Sequence, residues 1–135
     1  MSPSQSVPRG KSRIAVFNDS ASTLSTIAKW CEIHEYGVVT AQVSQMRHAH
    51  IDVETFVAKN HPDVIVFDIA MPYESNWDFL EVIRMLPALA GIPIVVTTAN
   101  KAALEHLVGP TGALQIIGKP ADLNGLLGTI DAAVA

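Results

Sequence analysis

The sequence predicts an α/β fold built on a parallel sheet, and two features of its 135 residues support this prediction. Five short apolar runs alternate with five segments whose apolar residues recur every three or four positions. Each connection between consecutive runs is long enough to hold a helix, which parallel strands require. We therefore expect five strands and five helices in alternation.

The five predicted strands are short and largely apolar, as expected of strands that helices cover on both faces. The third is the clearest, with the sequence DVIVF. The fourth has a proline near its start, where a missing backbone N–H is tolerated. In chain order, the predicted strands are residues 14–17, 38–41, 63–67, 92–97 and 114–117.

The predicted helices are amphipathic segments that begin at capping residues. The first is expected to follow Ser20 and to place Leu24, Ile27, Ala28 and Cys31 on its buried face. Residues 42–50 show no clear period and are predicted to form a loop. The other four helices are expected to begin near Asp52, at a capping box of Ser75 and Asp78, near Lys101, and near Asp122.

Composition limits the class of protein. With 49% hydrophobic and 16% charged residues, the chain is typical of a globular domain. The formal net charge of −4 and the scattered Lys and Arg residues argue against nucleic-acid binding. The longest apolar runs are far below the roughly 18 residues that span a membrane, and the N-terminus lacks a secretory signal. We expect a cytoplasmic protein with no membrane association.

The chain is predicted to contain one domain, residues 13–135, preceded by a flexible tail rich in Ser and Pro, residues 1–12. The single cysteine, Cys31, excludes an internal disulfide and is expected to lie in the core. The five histidines are spread over four segments without a cysteine nearby, so we expect surface residues in place of a metal site.

Polar side chains follow four of the predicted strands. In open parallel sheets, ligands bind outside the carboxyl ends of the strands, so these side chains are expected to converge. Their order along the chain is Asn18 and Asp19, then Asp68, then Thr97 and Thr98, and finally Lys119.

This set of residues suits phosphoryl transfer. Two nearby carboxylates repel each other unless a cation lies between them, and oxygen ligands favour Mg²⁺. Asp68 would act as the nucleophile and form an acyl phosphate, while Lys119 would neutralise part of the phosphoryl charge. Thr98 would donate a hydrogen bond to a phosphoryl oxygen. The adjacent Thr97 hydroxyl is an alternative that strand alternation alone does not decide.

Four motifs occur in order, namely IAVFNDS with Asp19, PDVIVFDIAMP with Asp68, IPIVVTTAN with Thr98, and IIGKP with Lys119. In these motifs the chain resembles a stand-alone bacterial response-regulator receiver domain of two-component signalling, over roughly residues 12–134. The resemblance implies a flavodoxin-like, doubly wound sheet of order 2-1-3-4-5 and a cis peptide before Pro120.

The resemblance also implies a bound Mg²⁺ and a set of partners. The metal ligands would be Asp19, Asp68, the backbone carbonyl of Ala70, and Asn18. The phosphoryl donor would be a sensor histidine kinase or a histidine phosphotransfer protein, and a downstream protein target would read the phosphorylated state. Residues 100–134 would form the responsive surface and a site for homodimerisation, with Leu104, Leu107 and Val108 as contacts.

Three positions depart from the receiver pattern. Receivers usually carry a second acidic residue where this chain has Asn18, so we expect weaker Mg²⁺ binding. Ile116 stands where receivers often carry an aromatic residue that rotates as a switch, so we do not expect the usual coupling between the threonine and that aromatic residue. Asn76 stands where glycine is usual, and asparagine tolerates left-handed dihedrals.

The predicted function is a phosphorylation-dependent switch or phosphoryl shuttle, with no enzymatic activity beyond its own Mg²⁺-dependent phosphorylation and dephosphorylation. The alternative is a receiver-like interaction module that works without phosphorylation. A haloacid-dehalogenase-type phosphatase is disfavoured because Ala70 replaces its second aspartate, and a dinucleotide enzyme because no G-x-G-x-x-G follows the first strand. We expect no output domain after Ala135. The alternative that the chain is a fragment of a longer regulator or of a hybrid kinase stays open.

Overall fold

The structure is a computed structural model that describes residues 12–109, 115–118 and 123–134. Five parallel strands form one sheet in the order β2-β1-β3-β4-β5, which confirms the predicted fold class and strand order. The strands are β1 (Arg13–Phe17), β2 (Gly37–Ala41), β3 (Val64–Ile69), β4 (Ile94–Thr98) and β5 (Gln115–Gly118). Residues 1–11, most of the predicted tail, lie outside the described ranges.

The described ranges contain six α-helices, one more than predicted, and a 3₁₀ turn at Pro87–Leu89. The helices are α1 (Ala21–Ile33), α2 (Val43–Arg47), α3 (Val53–Asn60), α4 (Tyr73–Ile83), α5 (Lys101–Val108) and α6 (Leu123–Val134).

Helix α2 lies where residues 42–50 were predicted to form a loop, so that prediction was wrong over Val43–Arg47. Val43 and Met46 stand three positions apart and are both buried, which gives this single turn an apolar face. One such pair is too short a pattern to identify a helix in the sequence.

The helix starts test two of the capping predictions. Ser20 caps α1 as predicted, since its Oγ accepts a hydrogen bond from the backbone N–H of Thr23 at 3.2 Å. The capping box predicted at Ser75 was wrong, because α4 begins at Tyr73. Ser75 lies within the first turn and donates to the carbonyl of Pro72, and the Met71–Pro72 peptide is cis.

Helices cover both faces of the sheet, and the strands alternate between two apolar cores. In β3, Ile65 and Phe67 face one core, whereas Val64 and Val66 face the other. The first core includes Trp77, Leu80 and Ile83 of α4, and the second includes Leu24, Ile27 and Cys31 of α1. Each strand end is therefore fixed between two packed layers.

Helix α5 presents less apolar surface than predicted. Leu104 is fully buried, so its assignment as a surface contact was wrong. Its side chain packs in the first core, where α5 covers β4. Leu107 is 45% exposed, so its side chain lies at the surface of this helix, where a partner could contact it. No helix in the described part of the chain is both long and apolar enough to span a membrane.

Candidate functional site

Three neighbouring strands bring polar residues together at the carboxyl edge of the sheet. Phe17 of β1 pairs with Phe67 of β3, so the next residues, Asn18 and Asp68, lie side by side. Asp68 in turn pairs directly with Thr97 of β4. All three polar residues are buried, with 4, 7 and 5% of their surface exposed in that order. The sheet thus forms a row of amide, carboxylate and hydroxyl groups.

The carboxylate of Asp68 is held from the β4 side. Thr97 Oγ1 donates a hydrogen bond to Asp68 Oδ1 at 2.8 Å, within the buried part of the site. Hydrogen bonds to ionised groups are shorter and stronger than those between neutral groups. This bond restricts the rotation of the Asp68 carboxylate.

Thr98, the threonine favoured by the sequence motif, does not pair with Asp68 as Thr97 does. It pairs with Ile69 of β3 and with Gly118 of β5, one position beyond the Asp68–Thr97 pair. Because side chains alternate along a strand, Thr98 lies on the opposite sheet face from Thr97. Thr98 is fully buried, and its hydroxyl has no hydrogen-bond partner within the described ranges. The structure therefore brings Thr97, the alternative residue, to Asp68.

The loop after β1 places its two polar side chains in different environments. Asn18 is buried, and its Oδ1 accepts a hydrogen bond from the backbone N–H of Ser20 at 2.8 Å. Asp19 is exposed, and its Oδ1 accepts from the backbone N–H of Ser44 in α2 at 2.7 Å. Asp19 thus presents a charge at the surface, while Asn18 also supports the start of α1.

The loop after β3 is held by a side chain from α4. The carbonyl oxygen of Ala70 accepts a hydrogen bond from Asn76 Nδ2 at 2.8 Å. Asn76 Oδ1 in turn accepts from Nη1 of Arg47, in α2, at 2.5 Å. These contacts were not predicted from the sequence. The sequence showed only that Asn76 stands where receivers usually carry glycine, which does not identify either contact.

The oxygen groups of the site fit a magnesium ion. Two carboxylates, a backbone carbonyl and an amide oxygen are the hard ligands that Mg²⁺ prefers, and this ion commonly takes one or two carboxylates and keeps several waters. The oxygens of Asn18, Asp19 and Ala70 named above each accept one described hydrogen bond, whereas a carbonyl or carboxylate oxygen has two lone pairs. No group of three or more His, Cys, Asp or Glu residues that could hold a metal occurs among the described residues.

Comparison with known proteins identifies the family. Residues 14–131 match the family model described as the response regulator receiver domain. The chain belongs to this family. Response regulator MprA of Mycobacterium sp. strain KMS is 31% identical over 117 residues, which are 85% of this chain and 47% of that protein. MprA of Mycobacterium avium strain 104 is 29% identical over the same lengths. The chain spans about half the length of these relatives.

Solved structures share the receiver fold. Chemotaxis protein CheY4 of Vibrio cholerae has a TM-score of 0.69 at 23% identity, with 92% of this chain and 99% of that chain covered. The non-phosphorylated HemR receiver domain of Leptospira biflexa has a TM-score of 0.68 at 25% identity, with coverages of 93% and 95%. The receiver assignment therefore rests on both sequence and structure.

Of two further positions of the receiver motif, Lys119 and Ile116, the structure describes only Ile116. Lys119, and the predicted cis peptide before Pro120, lie outside the described residues. Ile116, at the position of the usual aromatic switch, pairs with Val96 and is 8% exposed. It packs in the first core as an ordinary apolar residue.

Two ionisable groups with raised pKa values lie away from this receiver site, near the amino ends of the strands. Burial chiefly raises the pKa of the Cys31 thiol to about 11, and the nearby carboxylates of Glu32 and Asp131 add to the effect. Burial and a hydrogen bond to Asp131 raise the pKa of Tyr36 to about 12. Both groups are therefore neutral at physiological pH.

Proposed function

We propose that this receiver domain is a phosphorylation-dependent switch or phosphoryl shuttle in a two-component phosphorelay, and that Asp68 accepts the phosphoryl group. One observation carries the proposal: the Asp68 carboxylate lies at the carboxyl end of the central strand and is fixed there by the Thr97 hydroxyl. Ligand sites of doubly wound sheets lie at this edge. A fixed carboxylate at that place is suited to in-line attack on a phosphoryl group.

The proposed reaction transfers one phosphoryl group to Asp68. A carboxylate oxygen forms a bond to phosphorus while the phosphorus–nitrogen bond of a donor phosphohistidine breaks, and the imidazole leaves and takes up a proton where needed. The product is an acyl phosphate. Because Thr97 restricts carboxylate rotation, less orientational freedom is lost on reaching the transition state. The domain would catalyse only this step and the later hydrolysis of its own phosphoryl group.

Magnesium would be held by Asp19, Asp68, the Ala70 carbonyl and, through its amide oxygen, Asn18. When bound, the ion neutralises charge on the phosphoryl oxygens. Lys119 would supply further positive charge. Thr98, whose hydroxyl is buried without a described partner, would donate to a phosphoryl oxygen after a local rearrangement of the end of β4.

The partners follow from this chemistry. A sensor histidine kinase or a histidine phosphotransfer protein would supply the phosphoryl group, and a downstream protein would recognise the phosphorylated form. Residues 100–134 remain the proposed responsive and dimerising surface, with Leu107 as an exposed apolar contact. Leu104 takes no part because it is buried.

A second candidate function is an interaction module that works without phosphorylation. Ile116 favours it, because a buried aliphatic side chain in the core cannot swing between an inward and an outward position as an exposed aromatic can. Asn18 also favours it, because the loss of a carboxylate weakens cation binding.

Beryllofluoride, a phosphoryl mimic, separates these two functions. We expect beryllofluoride, added to a sample that already contains Mg²⁺, to shift the amide NMR signals of the loops that contain Asp19 and Ala70, and of the end of β4. The Asp68→Asn variant should show no such shifts, because the attacking carboxylate is absent. Spectra of the wild-type protein that do not change on addition would favour the interaction module.

A further inference from the structure

Helix α2 contacts both loops that carry proposed magnesium ligands. At its start, the backbone N–H of Ser44 donates to Asp19 Oδ1 at 2.7 Å. At its end, Arg47 Nη1 donates to Asn76 Oδ1 at 2.5 Å, and Asn76 Nδ2 donates to the carbonyl of Ala70 at 2.8 Å. One short helix therefore links the loop after β1 to the loop after β3.

We propose that Arg47 and Asn76 are positioning residues that hold the Ala70 carbonyl in a conformation ready to bind magnesium. The inference rests on the proposed function, since it assigns Ala70 to the metal. Both side chains act through that carbonyl, and Asn76 stands where receivers usually carry glycine.

The anchor of this arrangement is buried. Val43 and Met46 of α2 are 3 and 5% exposed and pack in the first core. A helix of five residues is not stable by itself, so its position is set by this packing. Arg47 therefore extends from a fixed base, although its own side chain lies at the surface.

Arg47 is held at a second point by an aromatic ring. Its guanidinium carbon lies 5.7 Å from the centroid of the Phe79 ring, within the range of a cation–π interaction. Phe79 and Asn76 both belong to α4, one turn apart. The planar guanidinium can contact the ring and donate to the Asn76 side chain at once, which leaves the amide with little rotational freedom.

Asn76, restrained in this way, contacts the loop after β3, which carries the Ala70 carbonyl. With its oxygen bound by Arg47, its NH₂ group faces the carbonyl of Ala70. That hydrogen bond uses one of two lone pairs on the carbonyl oxygen and leaves the other for a cation. Glycine at position 76 would have no side chain to make either contact. In many proteins, residues that hydrogen-bond to a metal ligand without contacting the metal orient that ligand.

The test measures magnesium binding itself, by isothermal titration calorimetry with MgCl₂ and no phosphoryl donor. We expect Asn76→Ala and Arg47→Ala to weaken Mg²⁺ binding about tenfold, the lower end of the range for removal of outer-shell partners. Arg47→Met keeps an apolar contact with Phe79 but loses the donor, so it should weaken binding as Arg47→Ala does. Arg47→Lys keeps a donor and should recover much of the affinity.

Arg84→Ala is the matched control. It removes another arginine hydrogen bond at the end of α4, to Glu81 at 3.0 Å, that has no link to the loop after β3. Its Mg²⁺ affinity should equal that of the wild-type protein. Urea unfolding of every variant in EDTA separates a general loss of stability from a loss of metal affinity.

The outcomes are distinct. Wild-type affinity in Asn76→Ala and Arg47→Met, in a protein that binds Mg²⁺ and responds to beryllofluoride, would overturn the positioning role and leave the proposed function intact. Equal weakening in Arg84→Ala would also overturn it. Absence of Mg²⁺ binding and of any beryllofluoride response in the wild-type protein would instead overturn the proposed function, and this inference with it.

Discussion

The hydroxyl of Thr97 donates a hydrogen bond of 2.8 Å to Oδ1 of Asp68, across directly paired positions of β4 and β3. The next residue, Thr98, is also buried but faces the other side of the sheet, where its hydroxyl has no partner in the part of the chain that the structure describes. Two adjacent threonines therefore contribute differently to the same fold. The same substitution at each should therefore change the stability of the protein differently.

Thr97→Val removes the donor to Asp68 and should lower the free energy of unfolding by about 1.5–3 kcal/mol, the range for hydrogen bonds to charged groups. Thr98→Val replaces an unpaired buried hydroxyl by a methyl group of similar size and should leave stability unchanged or raise it by up to about 1 kcal/mol. Urea unfolding without Mg²⁺ measures both. A larger loss for Thr98→Val than for Thr97→Val would contradict the described placement of these side chains.

Asn18→Asp restores the second acidic residue usual in receivers. Without a cation, the new carboxylate would lie beside buried Asp68, and repulsion between the two should lower the free energy of unfolding by about 1 kcal/mol or more. Added Mg²⁺ should reverse this loss and stabilise the variant more than it stabilises the wild-type protein. Urea unfolding with EDTA and with MgCl₂ provides the comparison. An equal response to Mg²⁺ in both proteins would argue against a metal ligand at position 18.

The buried thiol of Cys31 makes stability fall at alkaline pH. Its pKa is raised from 9.0 to about 11, so the folded protein keeps a proton that the unfolded chain releases. This contribution is fully present below pH 9.0 and is lost as the pH rises towards about 11, with a slope of at most about 1.4 kcal/mol per pH unit. Urea unfolding under reducing conditions should show a shallower decline for Cys31→Ala. The same slope in both proteins would show that Cys31 does not cause the fall in stability at alkaline pH.

Ile116 should behave as a packing residue. Ile116→Val removes one buried methyl group and should cost about 0.5–1.5 kcal/mol, while phosphoryl uptake from acetyl phosphate should remain that of the wild-type protein. Thermal or urea unfolding gives the first quantity, and intact-protein mass gives the second. Loss of phosphoryl uptake with stability unchanged would instead show that position 116 takes part in the reaction.

Much of the fold follows from short-range patterns. Apolar runs such as DVIVF identify strands because both faces of a central strand are buried, and the long connections between them require helices and a parallel sheet. The strand order came from the resemblance to receivers. Helix α2 escaped prediction because it is a single turn that is held in place by the burial of Val43 and Met46, and tertiary packing of this kind leaves little trace in the sequence.

The site was predictable as a set of strand ends, but its contacts were not. Asp68 and Asn18 could be placed at one edge because parallel strands end together. The choice between Thr97 and Thr98 depends on the register of β4 against β3, which decides the side of the sheet that each residue faces. The link from Arg47 through Asn76 to Ala70 depends on a contact between Arg47 and Asn76, which are 29 residues apart in the chain, so no local pattern could reveal it.

The central claim is that Asp68 accepts a phosphoryl group. Its most direct test is the intact-protein mass after incubation with acetyl phosphate and Mg²⁺, for the wild-type protein and for Asp68→Asn. We predict a gain of one phosphoryl group, about 80 Da, in the wild-type protein and no gain in the variant. An unchanged mass in both proteins, or an equal gain in both, would contradict the assignment of Asp68 as the acceptor.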